Sequence, residues 1–368
     1  MTRDHHIASL DAFRGFAVAG MILVDNPGNW NNVFEPLTHV EWNGCSIADV
    51  VFPFFIFILG AAMPFAFARR RERDRETPRL FTRILSRTVW LIALGLSLNV
   101  VAAFPALRGL RFPGVLQRIG LVYLFTAPLV LFVGLAGRAA IVVLIALGHW
   151  ALLAMWPHGG ALTASNNVAA VIDRALFGSH VLNAAGDPEG MLGTVASIGT
   201  ALLGSIAGDC LRRARTPQTG IRDLILVGVA STAAGLIWAR VFPFNKSLWT
   251  GSYVMWTGGL ATLILAGCFW LMDVEGRRAW ARPFVWLGFN PLAIYFLSEL
   301  VSHLFDKPWL HVHGQTLTVR SWLFWDVWRP LIPAIPDEWL SLGVGLAMVV
   351  VWTALAGSLY RRGVRLQV

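Results

Sequence analysis

Four short runs near the amino terminus concentrate the groups that could do chemistry: SLDAFRG (Ser9–Gly15), DNPGNW (Asp25–Trp30), HVEWNG (His39–Gly44) and DVVFPFFIFILG (Asp49–Gly60). A histidine titrates near neutral pH, so His39 could take a proton from an attacking amine or hydroxyl, or could itself carry a transferred acyl group. Asp49, opening the next apolar run, is a carboxylate suited to orient or charge-stabilise that imidazole. On spacing alone the plainer reading of His39, a solvated loop histidine, is favoured. Asp11 and Arg14 stand three apart and would pair on one helix face, either as an ion pair that anchors the helix or with Arg14 contacting an anionic cofactor.

Composition dictates what must hold these residues. Of 368 residues, 56% are apolar and only 14% charged, where soluble domains carry roughly a quarter charged residues. That excludes a soluble globular enzyme. A helix that crosses the hydrocarbon layer needs about 20 mostly apolar residues, so the fold is expected to be all-α and polytopic, with about ten transmembrane helices. The expected spans run about Ile7–Asn26, Ile47–Ala68, Ile84–Val101, Gly114–Gly134, Ala139–Trp156, Met191–Gly208, Leu224–Val241, Tyr253–Met272, Pro283–Ser302 and Trp339–Tyr360. Seventeen Trp fit an interfacial belt, and 35 Gly fit closely packed membrane helices.

The formal charge of +9 arises from 30 basic and 21 acidic residues. Most of the basic ones, above all the run Arg69–Arg87, fall in alternate loops, which predicts that both termini are cytoplasmic. The basic balance therefore reports topology and lipid head groups, and no nucleic-acid partner is expected. Asp11 and Arg14 interrupt the first span and Pro27-Gly28-Asn29 follows it, so it is read as a retained helix and not a cleaved signal. Three Cys predict no disulfide, and no metal-ligand spacing is present. There is no evident repeat or interdomain linker. The long connections, about 27–46, 157–190, 242–252 and 303–338, lie on the outer side, so a polar substrate is expected to enter there.

The runs SLDAFRG, MILVDNPG, HVEWNG and DVVFPFFIFILGAAM resemble the amino-terminal signature of the heparan-alpha-glucosaminide N-acetyltransferase family and its bacterial relatives, within the transmembrane acyltransferase superfamily. The likeness continues in order through GVLQRIGLVYL (Gly114–Leu124), DPEGMLGT (Asp187–Thr194), FPFNKSLWTGSYV (Phe242–Val254) and NPLAIYFLSE (Asn290–Glu299). It implies one transmembrane acyltransferase domain over residues 1–368, in a bacterial inner membrane. It also implies an acetyl-CoA-dependent N-acyltransferase that acetylates the amino group of a glucosamine-type sugar on the outer side, using cytoplasmic acetyl-CoA. The family's catalytic histidine, in its H-x-x-W-N-G motif, corresponds to His39 with Trp42, Asn43 and Gly44; its partner asparagine corresponds to Asn26. The likeness points to a homodimer. A large lumenal portion ahead of the first helix, such as the animal lysosomal enzyme carries, is not expected, which leaves recognition of a long heparan polymer open.

In that reaction His39 would serve as base or acetyl carrier, with Asp49 behind it, and Asn26 would orient the thioester carbonyl or donate to its oxyanion. Gln117 and Arg118, inside the fourth span, divide between structural pairing and contact with cofactor phosphate or pantetheine. Asp187 and Glu189 either cap a helix or bind a protonated amino sugar. Asp25, Asn43, Lys246 and Glu299 bring polar groups to the outer side, and Trp42 and Trp249 could stack on a sugar ring or sit in the interface. Tyr295 and Glu299, four apart, share a helix face. No glycine signature for nucleotide phosphates is found, so a coenzyme A site is not legible as a motif. The runner-up function is a transporter of amino sugars or N-acetylated sugars, disfavoured because no inverted repeat is evident; a non-catalytic scaffold comes third.

Overall fold

The structure is a computed structural model that describes residues 7–73, 77–156, 162–164, 166–183, 186–312 and 314–366. Side chains of residues 69–79, which include much of the arginine-rich run, lie outside the described part. The main helices are α1 (Ala8–Asp25), α2 (Ile47–Arg73), α3 (Thr77–Ala103), α4 (Val115–Phe132), α5 (Leu135–Ala154), α6 (Val168–Phe177), α7 (Met191–Arg213), α8 (Pro217–Trp238), α9 (Gly251–Phe269), α10 (Arg282–Phe289) and α11 (Pro291–Phe305), followed by a final helix Asp337–Arg361. The described strands are one hairpin, Leu310–Val312 with Gln315–Leu317.

Among the described residues, eight helices are long and apolar enough to cross a membrane, and a ninth crossing is made if the bent pair Ala279–Phe289 and Pro291–Phe305 counts as one. This is an all-α integral membrane architecture. The tenth expected span, α1, carries Asp11, Arg14 and Asp25 and so is less apolar, yet it is packed within the bundle: Phe13, Ala17, Val18 and Ile22 are fully enclosed. The expected span Pro283–Ser302 is broken at Asn290, where the chain turns by 76°. Pro291 disfavours helical geometry in the residue before it and opens the next helix well, hence the break.

Local chemistry accounts for the ends that matter. α1 stops at Asn26 because Pro27 follows, and Gly28 then runs against the final helix, its N–H bonded to Ser341 O at 3.1 Å. Ser46 begins α2 as a reciprocal cap: its Oγ accepts from Asp49 N and donates to Asp49 Oδ2, so the first turn itself holds the Asp49 carboxylate. α2 and α7 meet backbone to backbone. A Cβ on Gly204 would land on the Phe57 carbonyl and one on Gly60 on that of Ala201, so glycine is required for this approach.

Candidate functional site

A cavity of about 500 Å³ lies where α1 ends and where α2, α4 and α7 begin. Of the residues singled out from sequence it gathers Asp25, His39, Trp42, Asp49, Asp187, Glu189, Lys246 and Glu299. α6, an amphipathic helix not anticipated in its connection, lies along one side and contributes Asp173.

His39 Nδ1 lies 2.8 Å from Asp49 Oδ1. Asp49 is 98% enclosed, and its other oxygen accepts from Val40 N, Ser46 N and Ser46 Oγ, so it cannot turn away. An acceptor held against Nδ1 puts the ring proton there and leaves the lone pair on Nε2. The imidazole is 47% exposed, so that nitrogen can be reached. Lys246 Nζ stands 3.1 and 3.3 Å from the two ring nitrogens and 3.5 Å from Asp49 Oδ1. Nearly equal distances to nitrogens that flank one carbon set the ammonium against the ring face, out of line with either lone pair. The motif around His39 is pinned to the Phe244–Thr250 turn through Gly44 N to Phe244 O and Asn245 Nδ2 to Asn43 Oδ1. Beside it, burial and then the charge of Asp49 push the Cys45 thiol up to about 12.

Sequence reasoning missed Arg111. Its guanidinium bridges Asp187 and Glu189, the two acids read either as a helix cap or as a seat for a protonated sugar. Burial alone would lower the Arg111 pKa and raise that of Glu189, but the pairing outweighs it, so Arg111 is raised and Glu189 lowered. Asp187 also caps its own turn, accepting from Leu182 N and Glu189 N. Asp173 is occupied as well, accepting from Met191 N at 2.9 Å, and burial raises its pKa.

Other expected residues lie away from the chamber. Trp249 is fully buried in a turn at φ 55°, its Nε1 bonded to Thr200 Oγ1 and its ring 4.8 Å from the Arg118 guanidinium, so it cannot reach a sugar. Arg118 holds the turn that carries Glu189, through Pro188 O and Gly190 O, and Gln117 Nε2 holds Phe112 O. Neither meets Arg14. Asn43 points to Asn245 and does not line the chamber. Asn26 is buried with both amide hydrogens engaged, by Ile22 O at 2.9 Å and Ser298 Oγ at 3.1 Å. Its enclosed Oδ1 has no partner, so what it offers is an acceptor and not a donor.

Arg14, paired with Asp11 at 3.1 Å, lines a second cavity of about 880 Å³ at the opposite end of the bundle, with Arg83, Arg87, Trp90 and Asn290. On α2 the chamber ends at Phe52 and the second cavity begins at Phe55; on α11 the corresponding residues are Tyr295 and Leu292. On both helices three residues, a rise of about 4.5 Å, separate the lining of one cavity from that of the other.

Residues 6–168 match the catalytic region described for heparan-alpha-glucosaminide N-acetyltransferase. The chain is 29% identical over 362 residues to the heparan-alpha-glucosaminide N-acetyltransferase of Homo sapiens, covering 82% of this chain and 54% of that protein. To the Mus musculus protein of the same name it is 27% identical over 364 residues, covering 83% and 55%. The resemblance carried by the motifs is thus borne out, and the chain spans about half the length of the curated relatives it matches.

Proposed function

We propose that this chain is a transmembrane acetyltransferase that moves an acetyl group from acetyl-CoA to the amino group of a glucosamine-type sugar, with His39 as general base or acetyl carrier. The observation that carries it is the His39–Asp49 pair, whose free Nε2 opens on a chamber whose lining lies three residues along α2 and α11 from that of an arginine-lined cavity. In this reading the chamber faces the outer side of an inner membrane, both termini are cytoplasmic, and the chain works as a single domain in a homodimer.

The second cavity suits the donor. Guanidinium groups match phosphate oxygens, and Arg14, Arg83 and Arg87 share one wall system of about 880 Å³, within the usual size of a cofactor pocket. Bound there, acetyl-CoA would supply an activated thioester. In the chamber, His39 Nε2 would take the neutral amine's proton as the C–N bond forms and the thioester C–S bond breaks, and return it to the departing CoA thiolate; in the two-step route Nε2 would take the acetyl group as the thiolate leaves and then pass it to the amine. Asp49 stabilises the imidazolium of either route, and the Lys246 ammonium is the nearest positive donor for a developing oxyanion. The oxyanion role expected of Asn26 passes to Lys246, because Asn26 lines neither cavity and both its amide hydrogens are engaged.

The test is transfer of radiolabelled acetyl from acetyl-CoA to glucosamine or a glucosaminide by the purified chain in detergent. His39→Ala should abolish transfer and leave acetyl-CoA binding measurable. Two cavities on one axis would also serve a transporter; no transfer to any amino sugar, with sugar uptake by proteoliposomes, decides for that.

A further inference from the structure

The charges of the chamber do not balance. Arg111 is shared by Asp187 and Glu189, Lys246 faces Asp49, and Asp173 is used by backbone N–H groups. That leaves the exposed Glu41 and, enclosed, the pair Asp25 and Glu299, whose carboxyls are in hydrogen-bond contact and so hold one proton and one charge between them. Glu299 Oε1 is fully enclosed and has no hydrogen-bond partner among the described residues. Both residues line the chamber. An enclosed carboxyl oxygen with no donor calls for one, and the chamber's two fixed cations are already engaged.

The geometry points to the Asp25–Glu299 pair as the seat of the acceptor's ammonium group. This inference rests on the reading of the acceptor as an amino sugar and deepens it. The pair comes from two helices: Asp25 closes α1, and Glu299 stands one turn beyond Tyr295 on α11. Around it, Asp25 faces His39, Lys246 and Glu189, and Glu299 faces Arg320 and Asp306. Arg320 is committed to Asp306, Pro27 O and Ser302 Oγ, so it does not close the pair's demand. An ammonium group meets that demand with three donors and one charge; a sugar hydroxyl offers neither the charge nor the donor count. His39 shares the chamber, so once the seated ammonium has given one proton to the carboxylate pair, the neutral amine has its nitrogen in the same space as the base.

Calorimetry on the full chain in detergent, with acetyl-CoA absent, compares glucosamine with glucose, which has a hydroxyl in place of the ammonium. Wild type should bind glucosamine roughly 10- to 100-fold more tightly, the usual worth of a charged hydrogen bond. Asp25→Asn and Glu299→Gln should each shrink that ratio, by weakening glucosamine more than glucose. A wild-type ratio near one overturns the proposal without reference to any variant, and so does a preference that survives in the double variant. A preference that holds while no acetyl is transferred keeps the subsite and sinks the transferase; transfer without preference does the reverse.

Discussion

The His39 ring and the Asp49 carboxylate meet at 2.8 Å, and that carboxylate is held by three further donors from Val40 and Ser46. An anchored acceptor fixes one tautomer, which is what a base or acyl carrier needs. Asp49→Asn removes the charge and the preference for Nδ1–H, so kcat for acetyl transfer should fall by about 10²- to 10⁴-fold. His39→Ala should fall at least as far, and the double variant no further, because the two act as one unit. Steady-state rates on the three variants check this; a double variant whose losses multiply would mean that the pair is not coupled.

Arg111 should matter for stability more than for rate. Removing one partner of a buried ion pair leaves an unpaired charge, at a cost of about 3–5 kcal/mol, and Arg111→Met strands Asp187 and Glu189 together. In wild type the Glu189 pKa is lowered, so its pairing stabilises the fold above the ordinary carboxylate range and is lost as pH falls through the lowered value. In the variant, protonation relieves the stranded carboxylates. The melting deficit against wild type should therefore be largest near neutral pH and shrink toward about pH 5. A deficit that does not change with pH would count against this account.

Cys45 should resist alkylation. The thiolate is the reactive form, and a thiol pushed up to about 12 carries very little of it near neutral pH. Peptide mapping after iodoacetamide treatment of the folded chain at about pH 8 should find Cys45 unmodified, and labelling should rise only in strong alkali or after unfolding.

Gly204→Val should loosen the contact of α2 with α7, because the new side chain meets the Phe57 carbonyl and backbone cannot yield as a side chain can. Overpacking of this kind costs about 1–3 kcal/mol or more. A lower melting temperature in detergent, with acetyl-CoA affinity kept in the surviving folded fraction, is the expected result.

Much of the bundle was legible because a lipid-crossing helix must satisfy its own backbone, so spans stand out as long apolar runs. The break at Asn290 was not: the apolar run continues through it, and only Asn290-Pro291 marked the turn. α6 escaped because ten amphipathic residues carry no membrane signal. Of the candidates singled out by motif and chemistry, His39, Asp49, Asp187 and Lys246 line one chamber. Arg111 was not among the candidates, since its partner Asp187 is 76 residues away and nothing local links them. The available signal was its position among the few cations on the side poor in basic residues. Trp249 misled in the other direction: a tryptophan in an outer connection reads as a rim residue, and the left-handed turn that swings it into the core has no signature there.

The septum formed by Phe52 and Phe55 on α2, and by Leu292 and Tyr295 on α11, has a consequence for what must cross. Under the function proposed above, only a two-carbon fragment would have to pass it. A large polyanionic carrier could hand over its cargo without itself entering the chamber, and the rings of Phe52, Phe55 and Tyr295 would be what the fragment slips between.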